Sequence, residues 1–159
     1  MENFNELGLD PKVLRAIAEM GFEKPSPIQA EALPVLTGEP TDFIGLAATG
    51  TGKTAAFTIP FLGQIDVKLK KVQVLILCPT RELSLQVAGQ VDLLGKYMGV
   101  KSMAIYGGSG YEEQFRGLKQ GIPVVVGTPG RMIDHLERGS LDLSAVKVVV
   151  LDEADEMIS

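Results

Sequence analysis

The chain has 159 residues, a formal net charge of −5, 45% hydrophobic and 22% charged residues, and a single cysteine. That is the length and apolar content of one globular domain, not of a disordered or fibrous chain. Cys78 alone excludes an internal disulfide or a Cys-rich zinc site, and the acidic balance excludes the broad basic face that usually drives nucleic-acid binding.

In chain order, Asp10-Pro11 is a helix start, with Asp10 as cap and Pro11 at the first helical position. Val13, Leu14, Ile17 and Ala18 follow at helical spacing, and Gly21 can end the helix in a left-handed turn. Ser26-Pro27 repeats the start signal for a second helix to about Leu36. A polar loop over 37–42 leads into a different rhythm. Five short apolar, β-rich runs over 43–47, 72–78, 100–106, 123–127 and 146–151 alternate with helical stretches over 53–65, 82–97, 111–120 and 129–137. Alternation of this kind predicts an α/β fold, a mostly parallel sheet with helices on both faces. The runs 72–78 and 146–151 are nearly continuous in apolar residues, as buried parallel strands are. No run approaches the roughly 18 apolar residues that cross a bilayer. The start, Met1-Glu2-Asn3-Phe4, lacks a signal-peptide pattern, and the expected location is cytoplasmic.

The unusual residues fall after the strands, where ligands collect in open parallel sheets. After the first run comes Ala47-Ala48-Thr49-Gly50-Thr51-Gly52-Lys53-Thr54. Glycines there let successive N–H groups face one anion, and the next helix adds its positive end. Lys53 can reach the β- and γ-phosphates of a nucleotide, and the Thr54 hydroxyl can ligate Mg²⁺. The bland alternative is a Gly-rich turn with a solvated lysine. After the last run comes Asp152-Glu153-Ala154-Asp155. Asp152 can hold Mg²⁺ through water, and Glu153 can orient or deprotonate an attacking water. Alternatively the carboxylates cap a final helix.

At these residues the chain resembles the DEAD-box ATP-dependent RNA helicases. Residues 152–155 spell D-E-A-D, and residues 21–29 look like the family's Q motif, with Phe4 as its upstream aromatic. Residues 47–54 match motif I, whose family form begins with alanine. Pro79-Thr80-Arg81-Glu82-Leu83 matches motif Ia, Gly107-Gly108 the GG element, and Thr128-Pro129-Gly130-Arg131 motif Ib. The resemblance implies a RecA-like P-loop NTPase domain, truncated after the DEAD motif, with ATP and Mg²⁺ as cofactors. It implies that Gln29 reads the adenine edge with Phe22 by the base, that Pro79, Thr80, Arg81, Gly108, Thr128 and Arg131 contact the backbone of single-stranded RNA or a short duplex, and that Asp155 couples the lobes.

Some positions depart from the family pattern. Residue 48 is alanine where the family often has glutamine, and residue 84 is serine where alanine is usual. The resemblance leads one to expect motif III and a second RecA-like domain with arginine fingers, which these 159 residues do not contain, so the chain is expected to be a fragment. It comprises the Q-motif helices over 1–36 and the P-loop core over 43–159, and it is expected to bind nucleotide with little hydrolysis. Such a finger is worth roughly 10³–10⁵ in rate. Two rivals remain: a lobe of another P-loop nucleic-acid motor, such as a DNA helicase or a translocase, and a module that only binds. His135 is expected at the surface and Cys78 in the core. Met20, Met98, Met103 and Met132 are expected to pack, and Lys68-Leu69-Lys70-Lys71 to form a solvated loop.

Overall fold

The computed structural model describes residues 4, 8–22, 24–36, 52–108, 110–153 and 157. The expected strand over 43–47, the loop residues Ala48, Thr49, Gly50 and Thr51, and Asp155 lie outside the described residues. The chain divides into two compact units, one of residues 1–64 and 90–99 and one of residues 65–89 and 100–159.

In the first unit, α1 (Pro11–Glu19) starts where Asp10 accepts a hydrogen bond from the Lys12 N–H at 2.8 Å. It ends in a reciprocal glycine cap. Gly21, at φ +81°, donates to the Ala18 carbonyl at 3.1 Å, and Phe22 donates to Ile17 at 3.2 Å. Helices α2 (Pro27–Leu36) and α3 (Lys53–Leu62) pack together. Val13, Ile17, Leu33, Ile59, Phe61 and Leu62 are all buried, each contributing about 1.5–3 kcal/mol by leaving water. A short 3-10 helix, Lys96–Met98, closes on α1, where Arg15 lies 4.1 Å over the Tyr97 ring and the Tyr97 hydroxyl donates to Glu19.

The second unit holds the sheet. Strands β1 (Val74–Leu77), β2 (Ser102–Ile105), β3 (Val124–Gly127) and β4 (Val148–Leu151) are parallel, in the order β2-β3-β1-β4. Helix α4 (Arg81–Leu94) starts in this unit and ends in the first, while α5 (Tyr111–Gln120) and α6 (Pro129–Glu137) belong wholly to the second. The expected helices 111–120 and 129–137 form over those same residues. The expected 82–97 instead ends as an α-helix at Leu94, and Gly95 separates it from the 3-10 turn. The core joins Val72, Leu75, Ile105, Leu118, Val125, Met132 and Leu141. Gln73 is also fully buried. Its amide nitrogen donates to the Asp66 carbonyl at 2.8 Å and its oxygen accepts from the Asp66 N–H at 2.9 Å. Cys78 is buried, Lys68 to Lys71 are exposed, and Lys71 reaches Ser144.

One expectation about the strands is corrected. β1 is buried throughout its first three residues, but β4 alternates, with Val149 57% and Leu151 58% exposed. Among the described residues β4 pairs only with β1 and so forms the sheet's edge. An apolar run specifies a strand, but what covers its second face depends on its neighbours.

Candidate nucleotide site and nucleic-acid edge

The first unit builds its site around the start of α3. Gly52 caps that helix at φ +83°, a left-handed conformation that side chains disfavour, and makes no side-chain cap bond. Lys53 and Thr54 occupy the first two helical positions, both half-buried. A Cβ on Gly52 would collide with the Gln29 amide and come within 2.9 Å of Ser26 Oγ.

That collision follows from how α2 begins. Ser26 and Gln29 form a capping box. The Ser26 N–H donates to Gln29 Oε1 at 2.9 Å, and the Gln29 N–H approaches Ser26 Oγ at 3.4 Å. The same side chain then donates from Nε2 to the Gly52 carbonyl at 2.9 Å. Gln29 is 2% exposed, so it is not a surface helix residue, and its amide ties the start of α2 to the last glycine of the phosphate loop. Phe22 is half-buried and Phe4 is buried.

In the second unit the register aligns the strand ends. Leu77 pairs with Gly127 and with Leu151, and Gly127 with Ile105. The residues after each strand therefore emerge along one edge: Gly107-Gly108 after β2, Thr128 to Arg131 after β3, Pro79 to Arg81 after β1, Asp152-Glu153 after β4. The connection leaving β1 runs toward β2, and the one leaving β3 runs toward β4. The two connections therefore leave adjacent strand ends in opposite directions, each passing the other's strand, the kind of position where ligands collect in open parallel sheets. Thr80-Arg81 and Thr128-Arg131 stand there.

Local roles differ along this edge. Thr80 caps α4, accepting from the Leu83 N–H at 3.1 Å. Thr128 occupies the cap position of α6 with extended backbone but makes no side-chain cap bond, so capping does not account for its hydroxyl. Asp152 is 3% exposed, and its N–H extends the ladder to the Leu77 carbonyl at 2.9 Å. Glu153 has φ +53° and is the one non-glycine residue with positive φ among the described residues. Strain at such a carboxylate is the kind that functional sites hold. The Asp152 carboxylate here and the Thr54 hydroxyl in the first unit are each hard oxygen donors, of the type that suits Mg²⁺ better than a soft metal.

Both candidate arginines rest on tyrosines. Arg81 lies 4.7 Å from the Tyr106 ring centroid and Arg131 4.0 Å from that of Tyr111. Arg131 Nη1 also donates to Gln114 Oε1 at 3.1 Å. Sequence reasoning missed Gln114, Tyr106 and Tyr111, and it misplaced His135. Instead of lying at the surface, His135 is fully buried, 2.7 Å from Ser140 Oγ through Nδ1 and 2.8 Å from Gln114 Oε1 through Nε2. Burial, then the nearby Arg131 charge, holds its pKa below the ordinary 6.5, with Asp134 opposing. The Tyr111 hydroxyl and then Arg138 hold Asp134 below its ordinary value.

Parallel strands ending together on polar residues, with a Gly-Lys-Thr helix start in the companion unit, define a RecA-like α/β domain of the P-loop class. The chain belongs to the DEAD/DEAH box helicase family, whose model matches residues 26–159. It is 54% identical over 157 residues to the ATP-dependent RNA helicase DeaD of Escherichia coli K12, covering 98% of this chain and 25% of that protein. To the DeaD helicase of Klebsiella pneumoniae it is 53% identical, covering 98% and 24%. The chain thus spans about a quarter of the length of these relatives. Among solved structures, a DEAD box protein of Methanococcus jannaschii superposes with a TM-score of 0.94 at 42% identity, covering 99% of this chain and 43% of that one. Saccharomyces cerevisiae Dbp5 bound to RNA and ADP BeF3 superposes at 0.90 with 38% identity, covering 100% and 40%.

Proposed function

We propose that this chain is the ATP-binding, N-terminal RecA-like lobe of an ATP-dependent RNA helicase that remodels short RNA duplexes in the cytoplasm, residues 1–36 forming its Q-motif helices and 43–159 its P-loop core. It acts with a second RecA-like domain, and alone it binds nucleotide with little hydrolysis. The observation that carries this reading is the Gln29 bond to Gly52, which sets an amide with both donor and acceptor beside the phosphate loop. The loop N–H groups and Lys53 hold the phosphates, Gln29 reads adenine with Phe22 and Phe4 nearby, and Glu153 orients the attacking water. Thr54 and Asp152 hold Mg²⁺, which neutralises charge on the phosphates. Asp155 couples to the second lobe. Pro79, Thr80, Arg81, Gly108, Thr128 and Arg131 contact the RNA backbone, without reading its sequence. The relatives named above support RNA over DNA as the substrate.

Calorimetric titration of the chain with ADP and GDP in the presence of Mg²⁺ tests the nucleotide part. ADP binding with rejection of GDP is expected, and equal affinity would remove Gln29 as the adenine reader. In the complete protein, Glu153→Gln should retain ATP binding and lower RNA-stimulated hydrolysis roughly 10²–10⁴-fold. Normal turnover in that variant would remove Glu153 from its role.

A further inference from the structure

Gln114 is an amide with only 4% of its surface exposed, on a helix whose other buried residue is Leu118. A buried amide is costly unless its polar atoms are bonded, so its partners show what it is for. Its oxygen faces Arg131 Nη1, and a guanidinium can only donate, which fixes the amide's orientation. The same oxygen lies 2.8 Å from His135 Nε2, so that nitrogen carries the ring proton. Nδ1 then faces the Ser140 hydroxyl as an acceptor at 2.7 Å and shares its one proton with the His135 carbonyl, 3.1 Å from the same oxygen. The Gln114 nitrogen donates to the Tyr106 carbonyl at 3.3 Å, and Tyr106 is the residue whose ring lies under Arg81. Each group in this chain determines the next, and the chain ends on Arg131.

Tyr111, at the first position of α5, supplies a flat surface. The Arg131 guanidinium lies 4.0 Å from its ring centroid and Arg138 lies 4.2 Å from it, while its hydroxyl donates to Asp134. Phe115 stacks on Tyr111 at 5.6 Å and meets His135 edge-on at 5.3 Å, which further restrains the ring. An arginine side chain carries substantial rotamer entropy, which a phosphate contact must otherwise offset when it forms. A guanidinium pinned by an amide and a ring has lost that freedom during folding.

We propose that Gln114 and Tyr111 on α5 are positioning residues for Arg131, holding its guanidinium in the pose that meets an RNA phosphate. This rests on the reading of Arg131 as an RNA-backbone contact. Gln114 is too buried to touch RNA itself, so its effect on RNA runs through the side chains it holds, directly through Arg131 and only at one remove, by the Tyr106 carbonyl, toward Arg81.

Double-mutant cycles in the complete protein test this, reading the affinity for a fluorescent single-stranded oligoribonucleotide by anisotropy and the affinity for ADP by calorimetry. Gln114→Met and Tyr111→Leu should each weaken RNA binding roughly 3- to 10-fold when Arg131 is present and less than about 2-fold in the Arg131→Ala background, because the effect of a positioning residue disappears with its target. ADP affinity should not change. An equal loss in both backgrounds would mean general damage and would overturn the proposal. So would no loss from either variant where Arg131→Ala alone weakens binding, although the RNA reading would then survive. If Arg131→Ala leaves RNA affinity unchanged, the RNA reading of this residue fails and the proposal fails with it. Should Gln114→Met not fold, the half-buried Tyr111→Leu decides the question by the same comparison.

Discussion

His135 shows how a single residue can escape a sequence. It sits in Ile133-Asp134-His135-Leu136-Glu137, where acidic neighbours suggest a solvated face, yet the apolar Ile133 and Leu136 are exposed along with Glu137 while the ring is fully buried. Its partner Gln114 is 21 residues away on another helix, a distance that no local pattern reports. The burial has a consequence in pH. The folded state holds His135 below 6.5, so it binds fewer protons than the unfolded chain once the pH falls to that value. The stability this neutral ring provides is therefore complete above about pH 6.5 and is lost progressively below it, until the depressed folded pKa is reached. Urea denaturation between pH 7.5 and 5.5 should show the midpoint falling on acidification. His135→Gln should flatten that slope, while costing about 1–3 kcal/mol at pH 7 by leaving Gln114 and Ser140 short of partners. An unchanged slope in the variant would show that other groups carry the acid sensitivity.

At the scale of elements the sequence was far more legible. Helix starts at Asp10-Pro11 and Ser26-Pro27 and the ending at Gly21 carry their own chemistry, and the structure has a cap at each. The helix 111–120 is flanked by glycines at 110 and 121 and forms over those same residues. The exposure of β4 was not legible, because it depends on strand neighbours. Nor was the bond from Gln29 to Gly52, although the Ser26-to-Gln29 spacing of a capping box was present in the sequence. That box predicts a coupling between helix stability and ligand binding. Ser26→Ala should cost about 1 kcal/mol of stability, seen as a lower melting temperature. It should weaken ADP binding less than Gly52→Ala does, since a Cβ at Gly52 must displace the Gln29 amide itself. If Gly52→Ala bound ADP as the wild type does, the tight contact would have no bearing on the nucleotide site.

At the scale of the molecule, alternation of strand and helix predicted a parallel sheet, and the polar residues after each strand predicted a shared edge. The strand order that brings β3 beside β1 was not legible, because spatial neighbours in such sheets need not follow chain order. The order matters for the charge balance. A chain of net charge −5 has no general attraction for RNA, so on the proposed reading RNA binding comes from what stands at the β3 and β1 ends, with Arg81 and Arg131 as its cations. For single-stranded RNA each neutralised phosphate contributes about −0.7 to the slope of log affinity against log salt concentration. Two arginines then predict a slope near −1.4 for this chain, far shallower than that of a protein binding through a basic face. Anisotropy titrations over a range of salt measure it directly. Arg131→Ala should bring the slope to about −0.7, and the remainder should belong to Arg81. A slope of roughly −4 or steeper would require cations elsewhere on the surface and would move the RNA track away from this edge. The predicted value would instead mean that two arginines resting on tyrosines, together with neutral hydroxyls and backbone N–H groups, are enough to hold a polyanion on an acidic domain.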